Sequence, residues 1–300
     1  MHVTFRQLRL FLELSELRSI SAVARACHVT QPTVSMQLRE LTETVGIPLY
    51  EVIGKQLFLT SAGEEFAATA RAMMQEWDML EQRIAAIKGL TKGRLRVAVV
   101  STAKYFIPRM LGAFCREHPE IDIALEVQNR DGVVQRLREN RDDIYIMSMP
   151  PKDIDVIQQV FLPNPLVVVA PLRHALEGKA DIPLDALLQE RFILRERGSG
   201  TRLACDRFFS ERNVTPVVRL ELGSNEAIKQ AVAGEMGLAI LSRHALGEHL
   251  VDQSLTELDV QGFPILSHWY IVHLREKRLS PIAKAFLSYL DMQAQKLTPI

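Results

Sequence analysis

The spacing of apolar residues changes character along the chain, and each change predicts a different kind of element. Residues 4–17 show two apolar stripes at helical spacing. Leu8, Phe11 and Leu12 form one, and Leu10, Leu14 and Leu17 form another about 180–240° around. A helix apolar on both sides needs two partners, so one stripe is expected to face a core and the other a long helix further on. From Ser19 to Leu41 the sequence SISAVARACHVTQPTVSMQLREL reads as two short helices around a tight turn at His28-Val29. Ser19 or Ser21 is placed to cap the first, whose small residues Ala22, Val23, Ala26 and Cys27 permit a close crossing. Thr30 is placed to cap the second, and Pro32 is tolerated in its first turn because its missing N–H has no partner there. Val34, Leu38, Leu41 and Val45 then mark the buried stripe.

Residues 49–60 (LYEVIGKQLFLT) read as a two-stranded wing around a Gly-Lys turn. Ser61 with Glu64 has the form of a capping box opening a helix to about Lys88. Along that helix Phe66, Ala70, Met73, Trp77, Leu80, Ile84 and Ile87 alternate steps of four and three, an a/d seam that predicts pairing with a second copy. Gly89 and Gly93 mark a hinge. From Arg94 short apolar runs alternate with helical stretches, which predicts parallel sheets covered on both faces. One set contains RLRVAVV, IDIALEVQ and DDIYIMS, with helices at 106–117 and 132–140. A second contains PLVVVAP, RFILRE, VVRLEL and GLAIL, with helices at 184–188, 200–212 and 225–233. SHWYIVHL and a helix over 281–295 follow. The expected layout is residues 1–60, a linker and dimerisation helix over 61–92, and a two-lobed α/β unit over 93–300. Lobe 1 takes about 93–162 plus 267–300 and lobe 2 about 163–266, with crossings near 161–165 and 264–267.

Composition narrows the classes. With 300 residues, 47% hydrophobic and 24% charged, the chain is long enough for two or three globular domains at roughly 100–200 residues each. Three cysteines, Cys27, Cys115 and Cys205, lie far apart with no metal or disulfide spacing, leaving a redox-sensing thiol pair as the lesser alternative. The start MHVTFRQLRL has no leader pattern and no apolar run reaches a membrane span, so a cytoplasmic, reduced protein without metal is expected.

The outward arc of the second short helix holds Pro32, Met36 and Arg39, flanked by Thr33 and Ser35 with Gln31 at its tip. Together with Ser21 and a wing-tip Lys55, these residue types suit contacts to base edges and phosphates in double-stranded DNA. The net charge is zero overall. Residues 1–60 carry six Lys/Arg against five Asp/Glu, a weak footprint that calls for more than one copy and an inverted-repeat site.

These motifs carry a resemblance. FRQLRLFLEL, SAVARACHVTQPTVS, GIPLYE and LTSAGEEF resemble the winged helix-turn-helix of LysR-type transcriptional regulators, although Val52 and Ile53 stand where relatives often have basic wing residues. STAKYFIPRMLGAFCREHPEI, NRDGVVQRLREN and DDIYIMSMPP are similar to the subgroup regulating carbon-fixation operons, of the RuBisCO or Calvin-cycle type. The resemblance implies an N-terminal all-α winged helix-turn-helix, a long linker helix, and an effector domain similar to type II periplasmic binding proteins, in a homodimer or homotetramer. It also implies an effector among phosphorylated Calvin-cycle or photorespiratory metabolites or NADPH, with no bound cofactor. Serine occupies position 148, where the subgroup leads one to expect glycine.

Ligands in open α/β sheets gather at the carboxyl ends of strands and at helix starts. That rule selects Ser101, Thr102 and Lys104, then Asn129, Arg130 and Ser148, and in lobe 2 Arg195, Thr201, Arg202 and Asn225. Cations, hydroxyls and the Gly198–Gly200 loop suggest an anion with more than one charged group, a phosphorylated sugar or organic acid. The alternatives are a LysR-type regulator of another pathway with a non-phosphorylated organic acid, and, more distantly, a two-lobed enzyme. No catalytic motif supports the enzyme.

Overall fold

A computed structural model describes residues 2–54, 56–87, 92–187, 189–247 and 254–297. The chain divides into two compact units, Met1–Lys88 and Gly89–Ile300.

In the first unit, α1 (Phe5–Leu17) opens on a reciprocal cap. The Gln7 N–H donates to the Thr4 hydroxyl at 3.2 Å, and the Thr4 N–H to Gln7 Oε1 at 3.0 Å. Ser19, not Ser21, caps α2 (Ile20–Ala26), accepting from the Ala22 N–H at 3.4 Å. Thr30 caps α3 (Gln31–Val45), whose buried face is Val34, Leu38 and Leu41, with Val45 partly covered. A hairpin of β1 (Tyr50–Ile53) and β2 (Gln56–Leu59) leads into α4 (Ser61–Ile87).

The capping box expected at Ser61 lies one residue earlier and has a different form. The Thr60 hydroxyl accepts from the Gly63 N–H at 3.1 Å and donates to the Pro48 carbonyl at 2.7 Å. Gly63 is obligatory here, since a Cβ on it would lie 1.8 Å from the Leu49 carbonyl oxygen. Leu8, Leu10, Phe11 and Leu14 of α1 are buried, while Leu17 stays exposed. α1 meets α4 through an edge-on Phe11–Phe66 pair and a Phe5–Trp77 pair, both at 5.1 Å between centroids.

The second unit holds two five-stranded sheets. Strands β3 (Gly93–Val100), β4 (Ile121–Gln128), β5 (Ile144–Met147) and β6 (Val156–Pro163) enter lobe 1, together with α5 (Ile107–Glu117) and α6 (Arg130–Arg138). Lobe 2 follows with β7 (Leu166–Pro171), β8 (Arg191–Arg195), α7 (Gly200–Glu211), β9 (Val217–Leu222), α8 (Asn225–Ala233), β10 (Leu238–Ser242) and β11 (Leu255–Leu258). The chain returns to lobe 1 as β12 (His268–Leu274) and α9 (Pro281–Leu297), where Phe286 packs on Phe114. The orders are β4-β3-β5-β12-β6 and β11-β7-β10-β8-β9.

The sheets are mixed rather than parallel as the alternation suggested. β3 runs parallel to β4 and β5, but β12 is antiparallel to β5 and β6; β8 runs parallel to β9 and β10, but β7 is antiparallel to β10 and β11. The reversed strand in each sheet is the first one after a crossing between lobes. β6 and β11 escaped the sequence pattern, because β6 carries Gln158 and Gln159 in its middle and β11 spans only four residues. The helix expected over 184–188 is a 3-10 turn over Leu184–Leu187, with Leu188 outside the described residues. Gly93, expected in a hinge, already pairs with Ile121 as the first residue of β3; Gly89 lies outside the described residues.

The two crossing segments pair with each other. The Asn164 N–H donates to the Ser267 carbonyl at 2.8 Å, and Leu166 and Ile265 exchange bonds of 3.0 and 2.9 Å.

Candidate functional site

α3 is pinned by its apolar face and leaves the opposite face open. Gln31, Pro32, Met36 and Arg39 are exposed, and Thr33 and Ser35 partly so. The Ser21 hydroxyl donates to Gln31 Oε1 at 3.3 Å, fixing the tip of the helix against α2. The Arg39 guanidinium projects into solvent, 81% exposed, and among the described residues pairs with the exposed Glu43 carboxylate at 2.8 Å. These groups are free to trade water for a partner at little cost. On the hairpin, Val52 and Ile53 are exposed; Lys55 lies outside the described residues.

α4 divides its seam. Ala70 is buried and Phe66 packs against the core of the first unit, whereas Met73, Trp77, Leu80 and Ile84 remain 41–53% exposed; the Ile87 side chain is outside the described residues. A row of large apolar side chains left in water is the mark of a surface meant to be covered.

In the second unit, the ends of β3 and β8 and the start of α8 build a closed ring of polar groups across the lobes. Arg195 Nη2 donates to Ser101 Oγ at 3.1 Å and Nη1 to Asn225 Oδ1 at 2.8 Å, while Asn225 Nδ2 donates to Thr102 Oγ1 at 3.2 Å. Arg195, Asn225 and Thr102 are all buried. Glu196 neutralises the guanidinium through bonds of 2.8 and 3.0 Å. Nearby, α7 starts without help from its N-cap, because the buried Ser199 makes no side-chain cap bond, leaving the first N–H groups at Gly200 and Thr201 open to an acceptor. Ser148 and Arg130 of lobe 1 approach this helix start. A Cβ on Gly200 would lie 2.7 Å from Ser148 Oγ and 3.9 Å from Arg130 Cδ, which shows how closely the lobes approach here. Arg130 Nε donates to the Met149 carbonyl at 2.7 Å, and the Asp131 N–H reaches the Gly198 carbonyl at 3.2 Å across the lobes.

Three expected ligand groups have other partners. Asn129 caps α6, accepting from the Gly132 N–H at 3.0 Å. Arg202 is held within lobe 2, donating to the Arg195 carbonyl, Glu221 and Asp206 at 2.9 Å each. It braces the strand end that carries Arg195. Lys104 pairs with Glu226 at 3.0 Å, and the Tyr105 hydroxyl donates to the other oxygen of the same carboxylate. Burial alone raises the Glu226 carboxyl, but the bonds from Tyr105 and Lys104 outweigh it and hold it down to about 2. Tyr105 and Glu196 are not selected by the sequence reading. A sharper signal was present in the acid beside Arg195 and the phenol beside Lys104.

Burial pushes the Cys205 thiol up to about 12, well away from a reactive thiolate. Among the described residues no helix is long and apolar enough to cross a membrane, and no group of three His, Cys, Asp or Glu residues is placed to hold a metal ion.

Residues 5–64 match the family described as "Bacterial regulatory helix-turn-helix protein, lysR family", and residues 88–295 match "LysR substrate binding domain". The chain is 45% identical over 289 residues to the RuBisCO operon transcriptional regulator of Acidithiobacillus ferrooxidans, covering 96% of this chain and 94% of that one. It is 43% identical to the HTH-type transcriptional activator CmpR of Synechocystis sp., covering 96% and 95%. The solved regulatory domain of Synechocystis CcmR, in complex with 2-PG, is 50% identical with a TM-score of 0.66, covering 68% of this chain and 98% of that one.

Proposed function

The chain belongs to the LysR family of DNA-binding transcriptional regulators, and from that premise we propose that it controls a carbon-fixation operon in response to a small phosphorylated metabolite. The observation that carries the effector reading is the interlobe ring of Ser101, Thr102, Arg195 and Asn225 beside the open start of α7. Hydroxyls, a guanidinium and unpaired N–H groups converging in one buried place suit a phosphate with a second polar end. Ser148, Arg130 and Thr201 complete the set. The relative bound to 2-PG, 2-phosphoglycolate, supports this chemistry, as do the names of the RuBisCO-operon relatives.

On the DNA side, Gln31, Thr33, Ser35, Met36 and Arg39 face the major groove, with Ser21 steadying Gln31. One copy carries too little charge to bind tightly. The exposed Met73, Trp77, Leu80 and Ile84 seam therefore pairs two copies over an inverted repeat, and effector domains join pairs into a tetramer. Ligand shifts the lobes, with coupling on the order of 1–3 kcal/mol, and alters the spacing of the DNA-reading pairs.

The test combines calorimetric titration of the full-length protein with 2-phosphoglycolate, glycolate and malate with a gel-shift on an inverted-repeat fragment upstream of carbon-fixation genes. Saturable binding of the phosphorylated ligand alone, changing the DNA complex, is expected. Tight binding of an unphosphorylated acid instead moves the protein to another pathway.

A further inference from the structure

Three cations expected to meet the ligand already have a carboxylate of the chain's own. Arg195 is matched by Glu196, Arg130 by Asp131 at 3.3 Å and Lys104 by Glu226 at 3.0 Å. An anionic ligand therefore does not meet an empty positive site. It has to exchange with a resident anion.

The three acids differ in how they are tethered. Glu196 and Asp131 follow their cations directly in sequence and move with the same lobe. Glu226 sits in the first turn of α8 in lobe 2, while Lys104 and Tyr105 belong to the 3-10 turn Ala103–Tyr105 of lobe 1. Its two oxygens take the Lys104 ammonium, the Tyr105 hydroxyl and the Ser224 hydroxyl, the last at 3.2 Å. That is the arrangement of donors a bound oxyanion would receive. The preceding residue in the chain, Asn225, is a member of the buried ring, so the Glu226 carboxylate adjoins the effector groups. With its side chain 48% exposed, it leaves these donors for water without a large desolvation cost.

We propose that Glu226 is a built-in stand-in for the effector's anionic group, holding Lys104 and Tyr105 until an incoming anion displaces it, and so sets which anions are strong enough to bind. The proposal rests on the reading of this cleft as the effector site. A phosphomonoester, with up to two negative charges and three acceptor oxygens, outcompetes one carboxylate for an ammonium and a phenol. A ligand offering only another carboxylate gains little from the exchange. Glu226 thereby acts as a selectivity threshold favouring phosphorylated ligands over plain carboxylic acids.

The experiment measures dissociation constants of 2-phosphoglycolate, malonate and inorganic phosphate for the full-length wild type, Glu226→Gln, Lys104→Met and the double variant. Gel-shift on the inverted-repeat fragment and circular dichroism check that each is folded. Glu226→Gln is expected to tighten anion binding by about threefold to tenfold, in keeping with a partly exposed ion pair. All three anions should gain by a similar factor, because each displaces the same carboxylate, and Lys104→Met should erase the gain. Unchanged or weaker binding by Glu226→Gln overturns the proposal, because the carboxylate is then a bystander or a strap that assists the ligand. If neither the wild type nor Glu226→Gln binds any of the three anions, this proposal and the effector reading fall together. A gain for malonate and inorganic phosphate without any binding of 2-phosphoglycolate keeps the exchange and rejects the phosphorylated effector.

Discussion

The open face of α3 with the bare seam of α4, and the cleft of the second unit, are both rich in chemistry yet stand in opposite states. On α3 and α4 the side chains are in water: Arg39 pairs with an exposed acid, and Trp77 and Leu80 are not covered by core. In the cleft, Arg195, Asn225 and Thr102 are buried and, with the half-buried Ser101, satisfy one another. A partner adds bonds to the first region and replaces bonds in the second. On the proposed reading, affinity for DNA is built by multiplying copies, while response to a ligand is set by what the ligand displaces.

The contrast breaks most visibly at the seam. Leu80→Asp is expected to turn the oligomer into monomers by light scattering and to weaken binding to an inverted repeat by about a hundredfold or more, since linked sites gain on that order from effective concentration. If the variant stays oligomeric, the seam is not what holds the copies together. Arg195→Met comes next. It strands the Glu196 carboxylate and the Ser101 and Asn225 side chains, and thermal or urea unfolding should show a loss of about 3 kcal/mol, typical of removing one partner from a buried charge network. Arg202→Ala, which removes three bonds, two of them to exposed acids, should cost about 1–2 kcal/mol in the same measurement. Arg39→Ala is the smallest. It should leave the melting temperature unchanged, weaken DNA binding by about tenfold and lower the salt slope by about one, as for a single phosphate or base contact. A stability loss at Arg39, or none at Arg195, would erase the distinction.

What was legible in the sequence follows the range of the interaction. The α3 stripe, the Thr30 cap and the heptad seam depend on residues a few positions apart, and each left a periodic trace. The cap of α4 was misplaced by one residue, because Thr60 and Ser61 are both hydroxyls and only the Pro48 carbonyl, twelve positions away, decides between them. Strand direction was lost for the same reason: nothing within β7 or β12 states which way its neighbours run. In the cleft, the rule of strand ends and helix starts brought Ser101, Thr102, Arg195 and Asn225 together. It could not show that Arg195 bonds to a residue 94 positions away, or that Lys104 meets an acid 122 positions away. Counting cations without their acids gave the cleft more net positive charge than it has.

The paired crossing of the lobes has a mechanical consequence. Asn164–Ser267 and Leu166–Ile265 make the connection a two-strand ribbon, further tied down by the Ser242 hydroxyl on Asn164 Oδ1 at 2.6 Å. Two unpaired tethers would let the lobes slide, twist and separate independently. A hydrogen-bonded ribbon behaves as a flexure, compliant when bent across its thin direction and stiff against shear and stretch. Work done by a ligand is thereby delivered as one angle, a single coordinate that an assembly of several copies can read.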